Sequence, residues 1–255
     1  MTDTLLPRWS VADIHQSFTA RSFTDAMERT GANVARLEAQ FEEHNIRAGE
    51  PHKPSEHEGQ IANEIITSMN ETIKESEILG SYVYATVSTN TREETAQGLL
   101  SELEVIDSRL SPLLARLADW VATLGADDLA TVSEVAREHL GPLQRLQARA
   151  QHQMSEVEEG FYAEISTTGS SAWSRLQGDI TSQLTVSVDL PDGTKTLPIT
   201  AVRGMSTHSD LAVRKAAYDA EMRAWPTVAM PCAAAMNSIK GEANSVNRRR
   251  HWESP

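Results

Sequence analysis

The sequence predicts a mainly α-helical fold: long antiparallel helices forming a helical lobe, with one small β-hairpin and no parallel sheet. Three observations carry this. Apolar residues recur at three- and four-residue spacing through positions 23–124, the mark of a buried helical stripe. Aromatic residues make up only 5% of a chain that is 40% hydrophobic, so Leu, Ala and Val must pack the core. Alternation of apolar and polar residues occurs once, in L-T-V-S-V-D-L at 184–190.

The elements come in this order. Phe23, Met27, Val34, Leu37 and Phe41 predict a helix over roughly 22–47, ended by the break A-G-E-P-H-K-P. Ile61, Ile65, Met69, Ile73, Leu79 and Val83 mark a second long helix. A third is expected to open on a capping box at Thr91-Arg-Glu-Glu94 and to run through Leu99, Leu103, Ile106, Leu110, Leu114, Leu117, Val121 and Leu124. Pro112 should bend or split it. Shorter helices are expected at 127–139 and 142–159, separated by Gly141-Pro142. The alternating strand, the turn P-D-G-T and the return K-T-L-P-I predict a hairpin over 184–199. Thr207-His-Ser-Asp210 reads as a second capping box, opening a helix to Trp225. A separate last helix from about 227 to 251 would present Val228, Cys232, Ala235, Ile239, Ala243 and Val246 on one face. A stripe that wide needs a covering surface. The chain divides at this level into a helical lobe, 1–183, and a hairpin with its trailing helices, 184–255.

Charge narrows the function. The net charge is −13, and residues 1–100 hold 16 acidic against 8 basic side chains. That balance argues against a nucleic-acid partner, because phosphate contacts need a positive face. Only 201–255 is net basic, with 8 basic and 5 acidic residues. One cysteine, Cys232, allows no internal disulfide and suits a reducing compartment. No basic-then-apolar leader is visible in M-T-D-T-L-L-P-R-W-S, and no window has the ~20 apolar residues of a membrane span. A soluble, cytoplasmic protein is expected.

The candidates for chemistry are few. His57-Glu58 looks like the start of H-E-x-x-H, in which two imidazoles four residues apart bind zinc and the Glu activates water. The fifth position is Ile61, which cannot ligate, and no two histidines in the chain are four apart. Near a helix start, Glu58 suits the helix dipole and needs no metal. Gly204-Met-Ser206-Thr-His208 approaches the nucleophile elbow G-x-S-x-G, but ends in His and lacks the parallel sheet an elbow requires. Thr168-Gly-Ser-Ser171 has no following Lys and reads as a loop and helix cap rather than a phosphate cradle. Cys232 falls on the apolar stripe as a small buried hydrophobe. Arg248-Arg-Arg-His-Trp252 places cations where a helix C-terminus favours them. No residue is assigned a catalytic, cofactor-binding or metal-binding role.

Several phrases together resemble the N-terminal portion of the oligoendopeptidase F family, thimet-type zinc oligopeptidases. These are L-P-R-W-S-V-A-D-I (6–14), S-Y-V-Y-A-T-V-S-T-N-T-R-E-E-T-A-Q-G-L-L-S-E-L (81–103), D-G-T-K-T-L-P-I-T-A-V-R-G-M (192–205), S-D-L-A-V-R-K-A-A-Y-D-A-E-M-R-A-W (209–225) and M-N-S-I-K-G-E-A-N-S-V-N-R-R-R-H-W-E-S-P (236–255). The resemblance implies a parent metalloendopeptidase that hydrolyses short peptides in a channel between two largely helical lobes. Its zinc motif would lie beyond the point matching Pro255, with zinc as the parent's cofactor. This chain would then form a channel wall, bind no zinc itself and be inactive alone. Its helix at 227–251 would pack on the absent catalytic domain. The rival reading is a stand-alone, non-enzymatic helical scaffold.

Overall fold

The computed structural model describes residues 10–253. Residues 1–9, which include Leu6–Trp9 of the opening phrase and most of the stretch read for a leader, lie outside the described residues, as do Ser254 and Pro255. The chain forms two compact units, Met1–Ala163 and Glu164–Pro255.

The first unit is helical throughout. Helices α1 (Arg21–Glu43) and α2 (Glu56–Thr89) run antiparallel. Val34, Leu37 and Phe41 of α1 meet Ile61, Ile65 and Met69 of α2, together with Leu113, Leu117 and Val121 of α4 (Leu110–Leu124). At the other end, Phe23 of α1 joins Leu79 and Val83 of α2 and Leu103 of α3 (Glu94–Ser108). Burial of each such Leu or Ile contributes about 1.5–3 kcal/mol. His15, Phe18, Phe23 and Tyr82 close that end with ring centroids 5.0–5.6 Å apart, mostly edge to face.

Pro112 splits the long stripe as its missing N–H requires. The break falls at Arg109, and the proline sits in the first turn of α4, where the N–H has no helical partner. The expected cap at Thr91 is displaced: the Glu93 carboxylate accepts from the N–H groups of Thr95 and Ala96 at 2.9 and 3.3 Å. The expected helices at 127–139 and 142–159 are also redrawn. Helix α5 (Ala126–Val132) ends at Ser133, whose hydroxyl caps α6 (Glu134–Glu138) by accepting from Ala136 N–H and donates to Asn63 of α2. Gly141-Pro142 do not separate helices but lie in the first turn of α7 (Leu140–Ala150), again a position that tolerates proline. After α7 the amide of Gln153 binds the Ala115 carbonyl and the Asp119 carboxylate of α4, which turns the chain. A capping pair, Ser155 and Glu158, then starts α8 (Glu156–Ser166).

The second unit holds α9 (Ser170–Ser182), strands β1 (Thr185–Leu190) and β2 (Gly193–Pro198), α10 (Ile199–Gly204), a 3-10 turn at Met205–Thr207 and α11 (Leu211–Arg249). The strands pair antiparallel with Val186 opposite Leu197 and Leu190 opposite Gly193, leaving the two-residue turn Pro191-Asp192. Gly193 closes the turn at φ +120°, a conformation glycine adopts without strain. Val186 and Val188 face Ala217, Ala220 and Ala224 of α11, where small side chains let strand and helix approach. The cap of α11 is Asp210, which accepts from Ala212 N–H at 2.8 Å, and not Thr207.

The separate last helix is the largest correction. Pro226 and Pro231 lie inside one continuous 39-residue helix, α11. Each removes one helical hydrogen bond, but packing before and after them against the hairpin and α9 keeps the axis going. Of the expected stripe, Ala235 and Val246 are buried, while Val228, Cys232, Ile239 and Ala243 are half-buried.

Two glycines test the packing of the first unit. A Cβ on Gly59 would fall 2.2 Å from the Val132 carbonyl oxygen, while one on Gly98 would meet nothing within 4 Å. Gly59→Ala is therefore expected to destabilise by about 1–3 kcal/mol through overpacking. Gly98→Ala in the exposed helix is expected to stabilise by about 0.5–1 kcal/mol. Urea unfolding of the full chain reads both; shifts of the same sign would contradict the close approach of α2 to the end of α5.

Candidate functional site

Of the residues singled out in the sequence, Glu58 and His208 are taken up by local hydrogen bonds. Glu58 stands at the third position of α2 and forms a capping box with Ser55, taking the Ser55 N–H at 2.8 Å and hydroxyl at 2.7 Å. Its other oxygen accepts from Nε2 of His52 at 2.8 Å, while Nδ1 of His52 donates to the Glu50 carbonyl at 2.9 Å. His57 is exposed beside this arrangement, and Ile61 is buried in the core. Ser206 lies in the 3-10 turn, and Nδ1 of His208 accepts from Asp210 N–H rather than serving a nucleophile. Gly169, not a hydroxyl residue of Thr168–Ser171, is the N-cap of α9; the Glu242 carboxylate lies against it, 2.5 Å from where a Cβ would stand. Cys232 is half-buried, short of the full burial expected. Arg248 and Arg249 occupy the last turn of α11.

The His52 pair has an electrostatic signature. Both ring nitrogens face acceptors, so the doubly protonated imidazolium fits and the neutral ring does not. The Glu50 carbonyl, then the Glu58 carboxylate, hold the His52 pKa above the ordinary 6.5. Burial pushes Glu58 up, but the Ser55 N–H and hydroxyl and His52 outweigh it and hold the carboxyl below 4.5. The pair ties the α1–α2 connection, whose His52 N–H also reaches the Thr123 carbonyl of α4.

A second feature has the shape of a site. A groove of about 640 Å³ runs between α2, α3 and α4. Ile73, Leu110 and Leu114 line it as apolar surface, Glu77 and Asp107 bring carboxylates from different helices, and Tyr84 stands beside them, 60% exposed. The Ser76 hydroxyl donates a short hydrogen bond to Asp107 across the α2–α3 junction. The sequence showed Ile73, Leu110 and Leu114 only as core positions. The signal for α2's part was present: Ser76, Gly80 and Tyr84 repeat every four residues beside the apolar stripe. Nothing in the sequence joined Asp107 to them.

Among the described residues there is no group of three or more His, Cys, Asp and Glu side chains that could hold an ion. Glu58 is committed to its cap, and its neighbour one turn on is the buried Ile61. No helix among the described residues is long and apolar enough to cross a membrane.

Comparison with known proteins places the fold. The chain is similar to the crystal structure of oligoendopeptidase-F from Enterococcus faecium, with a TM-score of 0.73 over 91% of this chain. Sequence identity is 12%, so the likeness is one of fold, and the match spans 45% of that longer chain. No protein-family model and no curated protein matches the sequence.

His52 gives a pH test. A group whose folded pKa is raised contributes stability that is complete below its unfolded value and lost as pH rises through the folded one. Stability from the His52 clasp should therefore be full just below 6.5, while Glu58 is ionised, and decline as pH rises above 6.5. The expected NMR titration midpoint of His52 lies above 6.5 and falls towards it in Glu58→Gln. An unchanged midpoint in that variant would remove Glu58 from the account.

Proposed function

We propose that this chain is the helical lobe of a peptidase related to oligoendopeptidase F, forming one wall of a channel that admits short, unfolded peptides. The single observation behind the reading is the fold likeness over 91% of the chain. Residues 1–183 would supply the wall, and 184–255 would lead towards a catalytic region outside residues 1–255. Two features favour a wall. The long helices α2 and α11 are each capped at the N-terminus by a side chain, which favours a rigid shape. Two of the reactive groups named in the sequence, the Glu58 carboxylate and the His208 ring, are occupied by structural bonds. Zinc would be the cofactor of the longer protein, bound by residues outside this chain.

Such a wall acts by exclusion. A rigid helical surface limits what reaches a reacting centre and orders what enters, which lowers the entropic cost of reaching the transition state. The test begins with the gene beyond the codon for Pro255. The expected frame continues to an H-E-x-x-H motif, and the longer protein cleaves an internally quenched peptide in a chelator-sensitive way while this chain alone does not. A stop codon immediately after Pro255, or a longer protein without peptidase activity, would overturn the proposal in favour of a helical scaffold.

A further inference from the structure

We infer that the groove between α2, α3 and α4 binds a cationic peptide segment, a Lys or Arg side chain flanked by aliphatic residues. The inference rests on the peptide-handling reading for its polymer class; the shape and charge arguments come from the groove itself.

The first argument is uncompensated charge. Several carboxylates of the first unit are matched by arginines: Glu75 of α2 meets Arg29 at 2.7 Å, and on α1 Glu38 takes both arms of Arg109 and Glu42 meets Arg116 at 2.6 Å. The two in the groove do not. Glu77 has no hydrogen bond or ion pair among the described residues, and Asp107 has only the Ser76 hydroxyl. No Lys, Arg or His lines the groove; Lys74, the nearest cation along α2, is outside it. Two carboxylates from different helices over low-dielectric walls focus a negative potential, which favours a cation.

The second argument is the surface around that charge. Ile73 and Leu114 remain partly exposed after packing and offer apolar contact to the stem of a long cationic side chain and its neighbours. The exposed ring of Tyr84 supplies a face on which a guanidinium or ammonium can rest. Gly80 keeps the α2 wall open, with nothing within 4 Å of where its Cβ would be. The volume of about 640 Å³ accommodates one long side chain and the residues flanking it. A bare metal ion suits the groove poorly, because two carboxylates make fewer donors than a metal cage needs.

The probe is the acetylated, amidated hexapeptide Leu-Arg-Leu-Leu-Arg-Leu, titrated into the isotope-labelled full chain and followed by amide NMR shifts. Shifts are expected to concentrate in 73–84 and 107–114. Affinity should fall about fivefold or more in the Glu77→Gln, Asp107→Asn double variant and in Tyr84→Ala, and weaken with added salt. The same peptide with Glu in place of Arg should not bind there, and spermine should bind more weakly, having charge but no aliphatic branches. Shifts confined to other surfaces would overturn the groove assignment and leave peptide handling standing. No binding anywhere on the chain would overturn both. Equal affinity of the double variant with an unchanged amide spectrum, or spermine binding as tightly as the peptide, would also overturn the inference.

Discussion

Arg116 is the contact on which the first unit depends. Its side chain, only 9% exposed, leaves α4 and enters the C-terminal end of α1. There it donates to the Phe41 carbonyl at 3.1 Å, the Ile46 carbonyl at 2.9 Å and the Glu42 carboxylate at 2.6 Å, and it stacks 5.5 Å from the Phe41 ring centroid. Glu156 at the start of α8 stands 3.6 Å away. A helix C-terminus leaves carbonyls without partners and carries partial negative charge. The last turn of α1 has no basic residue of its own, so the cation comes from another helix. A buried arginine is costly unless its donors are satisfied; here acceptors surround it. The chain reversal after α1, with Asn45 at φ 50° and Ile46 fully buried, is braced by this side chain together with the Ile46 N–H bond to the Phe41 carbonyl.

The α1–α2 connection is thus ordered by polar bonds from both sides. Arg116 holds its beginning, and Thr123 and the His52–Glu58 pair hold its end. The same helix, α4, supplies Arg116 and Thr123 on one side and Leu113, Leu117 and Val121 to the core on another. Asp119 lies between these faces. Burial raises its pKa, as do Glu156 and Glu159 nearby, while the bond from Gln153 works the other way. The groove lies on the far part of α2, where these ties are absent and where Glu77 and Asp107 have no cationic partner.

Much was legible in the sequence because helices are written in local spacing. The stripe Phe23, Val34, Leu37, Phe41 and the stripe Ile61, Ile65, Met69, Leu79, Val83 are buried as their periodicity required. The hairpin arises from one alternating run and one glycine at positive φ. Caps were harder to place. Ahead of α2, α3, α8 and α11 the Ser/Thr-x-x-acid pattern stands at Ser55, Thr91, Ser155 and Thr207; it forms the box at Ser55 and Ser155, while Glu93 and Asp210 replace it at the other two. Pattern alone does not fix which residue leaves the helix, because neighbouring side chains compete for the same N–H groups.

The sequence by itself determined the helical class, the hairpin and the split of the long stripe near Pro112, since all three depend on residues close in the chain. Tertiary structure alone decided that Pro226 and Pro231 lie within a continuous α11, that Arg116 caps a helix some seventy residues earlier, and that Glu77 and Asp107 share a groove. The physical reason is the same in each case. A missing hydrogen bond, a buried cation or an unpaired carboxylate takes its meaning from partners distant in sequence, and their positions are set by the packing of the helices.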